Sequence, residues 1–192
     1  MKTEDLYEQG NMKRLFIYTV LLFSMLYATA LGSATTDIKK SRVWIYKTIS
    51  QEKNEQLKCL ATNIYFEARN EPFAGKLAVA MVTLNRVESR TFPNTLCDVV
   101  YDGIHWKSGH PKRDRCQFSW YCDGQSDKVV NKRAYRSSEH VALLAIEGYH
   151  TIRDKGLDIT EGAKFYHHHE ISPWWSNVKG KVGRIGEHIF YK

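Results

Sequence analysis

An α+β domain, mainly helical with its few strands gathered near the C-terminus, is the fold class that this sequence predicts. Three observations carry it. From Glu55 onward the apolar residues Leu57, Leu60, Ala61, Ile64 and Tyr65 recur at three- and four-residue steps, the period of a helix with one buried face. The stretch "AGKLAVAMVTLNRVESR" sets Leu77, Ala80, Met81, Leu84 and Val87 on one stripe and is apolar enough for a central, buried helix. The tail "ITEGAKFYHHHEISPWWSNVKGKVGRIGEHIFYK" alternates in places and carries four glycines, the pattern of short strands or a hairpin closing over helices.

Between these elements the signals are weaker. "TFPNTLCDVVYDG" is a turn leading into a short helix. Residues 102 to 128, rich in Gly, Asp, Lys and His and without a period, are expected to be long surface loops. "VNKRAYRSSEHVALLAIEGY" is a further helix with Ala134, Val141, Leu144 and Ala145 turned inward. No internal repeat and no low-complexity tract interrupts the pattern.

Three segments are expected along the chain. Residues 1–32 contain "LFIYTVLLFSMLYATALG", uncharged from Leu15 to Gly32, close to the ~20 residues that span a bilayer. Lys13 and Arg14 would hold its N-terminal end in the cytoplasm, so the segment is a signal peptide or a membrane anchor, and "ATALGSA" supplies small residues for a peptidase. Residues 33–54 are a mostly polar spacer. Residues 55–192 are the domain: of 192 residues 43% are hydrophobic and 12% aromatic, enough for one core.

Export decides how the remaining signals are read. The protein is expected in the cell envelope or periplasm, held to the inner membrane if residues 15–32 stay attached. A formal charge of +7 points to an anionic partner. Lys and Arg are spread along the chain and the leader directs it outward, so a wall polymer or a membrane surface fits better than nucleic acid. Cys59, Cys97, Cys116 and Cys122 would meet an oxidising compartment and allow three pairings. The short "CQFSWYC" loop makes Cys116–Cys122 the local choice, leaving Cys59–Cys97. The rival is a zinc site of His105, His110, Cys116 and Cys122, whose spacing lacks the tight pairs of structural zinc.

The segment "IYFEARNEP" concentrates the chemistry. Glu67 stands where an apolar helical stretch gives way to the turn Glu71-Pro72. A carboxyl at a helix C-terminus, pressed against apolar neighbours such as Tyr65 or Phe66, has its charged form disfavoured by desolvation and by the helix dipole. Kept protonated near neutral pH, it can act as a general acid. Glu71, forced out of the helical region by Pro72, reads as a solvated turn residue. Arg69 suits a helix end and Asn70 a left-handed cap. In "TLNRV", Thr83, Asn85 and Arg86 break the apolar stripe, and Asn85 reads either as a polar contact for a substrate groove beside Glu67 or as a helix-surface amide.

"CQFSW" combines Gln117 and Ser119 with Phe118 and Trp120, amides and hydroxyls beside rings that stack on sugars, with core packing the alternative for Phe118. "FYHHHEISPWW" adds Tyr166, His167 and Trp174 or Trp175. Consecutive histidines on an extended chain face opposite ways and no H-E-x-x-H occurs, so no metal and no cofactor is expected.

In their order, "CLATNIYFEARNEPFAGKLAVAMVTLNRVESRTFPNTLCDVVY", "CQFSW", "AKFYHHHEISPWW" and "RIGEHIFYK" resemble the SleB/CwlJ family of cell-wall hydrolases over residues 57 to 192. The resemblance implies a lysozyme-like fold, peptidoglycan glycan strands as the partner and Glu67 as the catalytic carboxyl, with Tyr166 and His167 near it. Ordinary glycoside hydrolysis uses two carboxylates, and Asp98, Asp102, Asp114 and Asp123 are scattered with solvated loops as their default. The family supplies a route that one glutamate can run, lytic transglycosylation. Two other classes remain open from the residues alone: a peptidoglycan-binding module without turnover, and a zinc-dependent envelope hydrolase.

Overall fold

A computed structural model describes Thr48 and residues 50–192. The apolar segment Leu15 to Gly32 and nearly all of the expected spacer lie outside the described residues. The chain divides after Gln51, and the unit Glu52–Lys192 carries every element of the domain. Among the described residues no helix is long and apolar enough to cross a membrane.

Helix α1 occupies residues 52–68 of this unit. It runs ahead of the expected start at Glu55 because Glu52, Lys53 and Asn54 are exposed and are held by helix propensity rather than burial, so they leave no apolar period. Leu60, Ala61, Ile64 and Tyr65 are fully buried, the face that the spacing predicts. The chain then turns tightly, with the Glu71 amide donating to the Ala68 carbonyl at 2.9 Å. Asn70 is not in the left-handed region; among the described residues only Asp114 and Glu161 are non-glycines there.

Helix α2, Phe73–Val87, starts on Pro72 and is buried nearly all round: Val79, Ala80, Met81 and Leu84 join the α1 core, whereas Ala78 and Val82 pack under Phe190. Helix α3, Leu96–Val100, is capped by Thr95, whose hydroxyl accepts from the Asp98 amide at 3.1 Å. A disulfide between Cys59 and Cys97 ties α3 to α1, and the second joins Cys116 to Cys122. Both pairings agree with the expectation, and Cys116 and Cys122 are bonded to each other rather than free as thiolates beside His105 and His110.

Residues 102 to 128 are not all loop. Strands β1 (Gly103–His105) and β2 (Pro111–Cys116) form an antiparallel hairpin, followed by a 3-10 turn at Ser119–Tyr121. The β2 sequence "PKRDRC" hides its strand: the ribbon lies on the surface, with Arg113, Asp114 and Arg115 exposed, and so has no apolar alternation.

Helix α4, Lys132–Asp154, is capped by Asn131 and buries Ser138, Val141, Ala142, Ala145 and Tyr149. The expectation for Leu144 is corrected: it and Leu143 are exposed, and the buried face of α4 is made by Val141, Ala142, Ala145 and Tyr149. Strands β3 (Phe165–His168), β4 (Lys181–Ile185) and β5 (His188–Tyr191) make an antiparallel sheet ordered β3-β5-β4. The sheet rests on α2 through Phe190, with Tyr166 directly opposite it in register. The α+β class and the strand-bearing tail are therefore as the sequence predicts.

Candidate active site

Glu67 sits in the last turn of α1, partly exposed, and accepts a hydrogen bond from the Tyr166 phenol at 3.0 Å on Oε2. Burial of the carboxyl raises its pKa above the ordinary value, against the Tyr166 hydrogen bond and the Arg86 charge, which both lower it. The direction is the one that the helix-end position predicts, but the wall is different. Neighbours in a helix diverge by about 100°, so Tyr65 and Phe66 point away: Tyr65 is buried with its hydroxyl accepting from the Asn131 amide at 3.1 Å, and Phe66 stacks on Trp120 at 4.6 Å. The residue that closes over Glu67 comes from β3.

Strand alternation explains why that residue is Tyr166. Phe165 and His167 face Trp175, whereas Tyr166 and His168 face His188. Tyr166 touches all three apolar clusters of the domain, so its phenol is held on Glu67 by packing on several sides. Burial, with Glu67 beside it, drives the Tyr166 pKa well above the ordinary phenol value, so it serves as a donor.

His167 takes the opposite face. Its Nε2 pairs with the Tyr191 hydroxyl at 2.9 Å and its Nδ1 with the His168 carbonyl at 2.8 Å, so both ring nitrogens are engaged within the fold. Phe118 and Trp120 are also inside. The Trp120 indole donates to Asn63 Oδ1 at 3.0 Å, and the Asn63 amide donates to Thr83 Oγ1 at 3.2 Å, a buried chain from the 3-10 turn across α1 to α2. Gln117 and Ser119 are exposed, in keeping with their alternation with Phe118 and Trp120.

Asn85 does not face a groove. It is buried, its amide donating to Thr160 Oγ1 and the Ala163 carbonyl at 3.2 Å each, while the Tyr149 hydroxyl donates to Oδ1 at 2.8 Å. It thus ties α2, α4 and the loop before β3 together. Asp158, which sequence reasoning did not single out, organises that loop by accepting from the Thr160 and Gly162 amides at 2.9 and 2.8 Å.

Glu71 is likewise corrected. Only 8% exposed, it accepts from the Glu187 amide at 3.1 Å and lies 3.7 Å from His188 Nδ1. Pro72 does force it out of the helix, but the direction it takes is into the β4–β5 turn. Gly186 there has φ +59°, and a Cβ at that position would collide with the Glu71 carboxylate.

Arg86 is the residue that sequence reading noted without assigning. Only 5% exposed, it donates from Nε to the Lys164 carbonyl at 2.8 Å, with the rings of Phe118 and Phe92 at 4.9 and 5.2 Å from its guanidinium. A lone arginine inside an apolar stripe was the available signal. Together with Arg115, Gln117, Tyr166, Trp174 and Lys179 it lines a cleft of about 480 Å³. Glu67 does not line this cleft; Tyr166, which does, connects it to Glu67. Trp174 is 80% exposed at its rim.

His168 and His169 do converge, against the expectation for adjacent histidines, because β3 ends at His168 and the chain turns. With Glu187 they offer three possible ligand atoms within 4.8 Å of one another. His169 Nδ1 is 2.9 Å from Glu187 and His168 Nδ1 is 3.6 Å from Glu170, so carboxylates already pair with both.

A family model described as Cell Wall Hydrolase matches residues 70–191, more than half of the chain. The chain belongs to the cell wall hydrolase family. Glu67 lies three residues before the matched range, on the helix that leads into it. This cell wall hydrolase chain is 32% identical over 140 residues to the spore cortex-lytic enzyme of Bacillus subtilis and 31% identical over 137 residues to that of Bacillus cereus. Both matches take in 71% of the chain but only 37% and 44% of the relatives, so the chain spans less than half the length of the curated relatives it matches. Among solved structures it is similar to the catalytic domain of the germination-specific lytic transglycosylase SleB from Bacillus anthracis, with 30% identity, a TM-score of 0.53, and coverage of 71% of this chain and 93% of that one.

Proposed function

We propose that the domain cleaves the glycan strands of peptidoglycan between N-acetylmuramic acid and N-acetylglucosamine, as a lytic transglycosylase of lysozyme-like fold with Glu67 as its acid and base. The observation that carries this reading is the Glu67 carboxyl: at a helix end, partly exposed, with its pKa raised by desolvation and one oxygen bound by Tyr166. Family membership and the likeness to the catalytic domain of a lytic transglycosylase support it.

In the first step Glu67 gives its proton to the glycosidic oxygen as the C1–O bond of the muramyl residue breaks. The carboxylate left behind is stabilised by the Tyr166 phenol and the nearby charge of Arg86, the two influences that favour its ionised form. In the second step it removes the proton of the muramyl C6 hydroxyl, whose oxygen bonds to C1 and closes a 1,6-anhydro ring. The proton returns to Glu67 and no water is consumed. Gln117, Ser119 and Tyr166 are the polar contacts for the sugars and Trp174 the stacking surface; Phe118, Trp120 and His167 act behind them by fixing the loop and strand.

Mass analysis of fragments released from purified sacculi tests this. Muramyl ends lighter by one water than hydrolysed ends are expected. Full-mass reducing ends would replace the transglycosylase with a hydrolase, and an absence of released glycan would favour a wall-binding module.

A further inference from the structure

The cleft beside Tyr166 gathers three cationic side chains. Arg86, Arg115 and Lys179 all line it. Among the described residues none of the three takes part in an ion pair, although the exposed Arg113, Arg184 and Lys192 do. Lys179 lies over the ring of Phe165 at 3.4 Å, and Arg115 is exposed.

Arg86 is the telling member. Its packing accounts for Nε and for the faces of the guanidinium, yet Nη1 is buried without a hydrogen-bond partner within the protein. A guanidinium stays charged, and a buried charge without a hydrogen-bonded counter-charge is costly enough that folds seldom keep one without use. Two carboxyls, Glu67 and Asp102, act on it by charge alone: neither is hydrogen-bonded to the guanidinium, and Glu67 is biased toward the neutral form by its own burial.

We infer that this cleft is a carboxylate-binding subsite, in which Arg115 and Lys179 receive a carboxylate of the muramyl side arm, the buried charge of Arg86 attracts it from behind, and the sugar that bears it stacks on Trp174 at the rim. The inference rests on the peptidoglycan reading above. Peptidoglycan presents such a group from two sources, the lactyl ether of muramic acid where the peptide is absent and the acidic residues of the stem peptide where it is present. Planar guanidinium groups match a carboxylate bidentately, which a general attraction to an anionic wall does not require. Because Tyr166 forms both a wall of the cleft and the hydrogen bond to Glu67, a side arm held here places its own muramyl unit beside the acid.

The test is co-sedimentation of the full chain carrying Glu67→Gln, which prevents turnover, with three preparations of sacculi: untreated, carboxyl-amidated, and stripped of peptide by an amidase to leave free lactyl groups. Amidation is expected to weaken binding at least about tenfold, the order of one charge-assisted hydrogen bond. Adding Arg115→Gln/Lys179→Gln should remove most of that difference. Arg136→Gln/Lys155→Gln, which removes the same net charge from exposed residues that do not line the cleft, should leave it intact. Binding to stripped glycan as tight as to untreated sacculi assigns the carboxylate to the lactyl group, and binding as weak as to amidated sacculi assigns it to the stem peptide. Equal binding to untreated and amidated sacculi, or equal loss in the two double variants, would overturn the subsite. Products of the unsubstituted chain report separately on the glycosidase: cleavage without carboxylate discrimination rejects the subsite alone, and discrimination without cleavage rejects the glycosidase alone.

Discussion

The phenol of Tyr166 donates to Glu67 at 3.0 Å across 99 residues of chain, so a β-strand near the C-terminus completes a site begun at the end of α1. The hydrogen bond lowers the pKa of a carboxyl that burial raises. Tyr166→Phe removes that opposing influence with little change in volume. We expect the basic limb of the pH–rate profile to move to higher pH, because the acid holds its proton longer. Loss of a hydrogen bond to a charged group, ~1.5 to 3 kcal/mol, should slow the reaction about 10- to 150-fold where the glutamate must ionise. An unshifted limb with an unchanged rate would remove Tyr166 from the mechanism.

Glu67 also sets a pH dependence of stability. Its folded pKa is raised, so the folded state holds the proton more tightly, and stability present at low pH is lost as pH rises from the ordinary glutamate value through the raised one. Glu67→Gln has no such loss. The variant should match the parent near pH 4 and exceed it at pH 7 to 8, with the gap growing by up to about 1.4 kcal/mol per pH unit within that window. Denaturant midpoints across pH check this; a variant less stable than the parent at pH 8 would contradict the desolvated carboxyl.

Glu71 and Gly186 should behave as a coupled pair. Glu71→Ala leaves the part-buried Glu187 amide without its acceptor, a loss of ~1 kcal/mol or more. Gly186→Ala meets both a positive φ and the Glu71 side chain, and should be at least as costly. Combined, the collision disappears and the double variant should be more stable than the two single losses predict, measurable in a double-mutant cycle. Simple additivity would mean that the two do not touch.

Much of this was legible in the sequence, and the failures share a physical origin. Apolar periodicity located α1 and α2, and the local "CQFSWYC" loop gave both disulfides. Glu67 was legible because a carboxylate at the end of an apolar helical run is a local feature. The fates of Glu71, Asn85 and His167 were not, because each is decided by a partner 73 to 116 residues away or on the opposite strand: the Glu187 amide, Asp158, and the Tyr191 hydroxyl. The β1–β2 ribbon was missed because it lies on the surface and β2 carries no apolar alternation. Leu144 was placed inside because it stands at a helical step from Val141, whereas the face that α4 buries runs through Ala142, Ala145 and Tyr149.

The Cys59–Cys97 disulfide closes the longer loop, 38 residues apart, and joins the helix that bears Glu67 to α3. Replacing both cysteines by serine should reduce stability by about 3 to 4 kcal/mol in the chain-entropy picture. Unfolding midpoints measure it, and peptide mapping without reduction checks both pairings; free thiols in protein recovered from an oxidising compartment would contradict them.

The central claim is that the Glu67 proton breaks the glycosidic bond. Release of dye from labelled sacculi, compared between the parent and Glu67→Gln at equal folded concentration by circular dichroism, tests it most directly. The account predicts a folded variant whose activity falls by more than the ~10² to 10⁴ of a single acid–base loss, because both steps use the same group. A well-folded Glu67→Gln that releases dye as fast as the parent would contradict it.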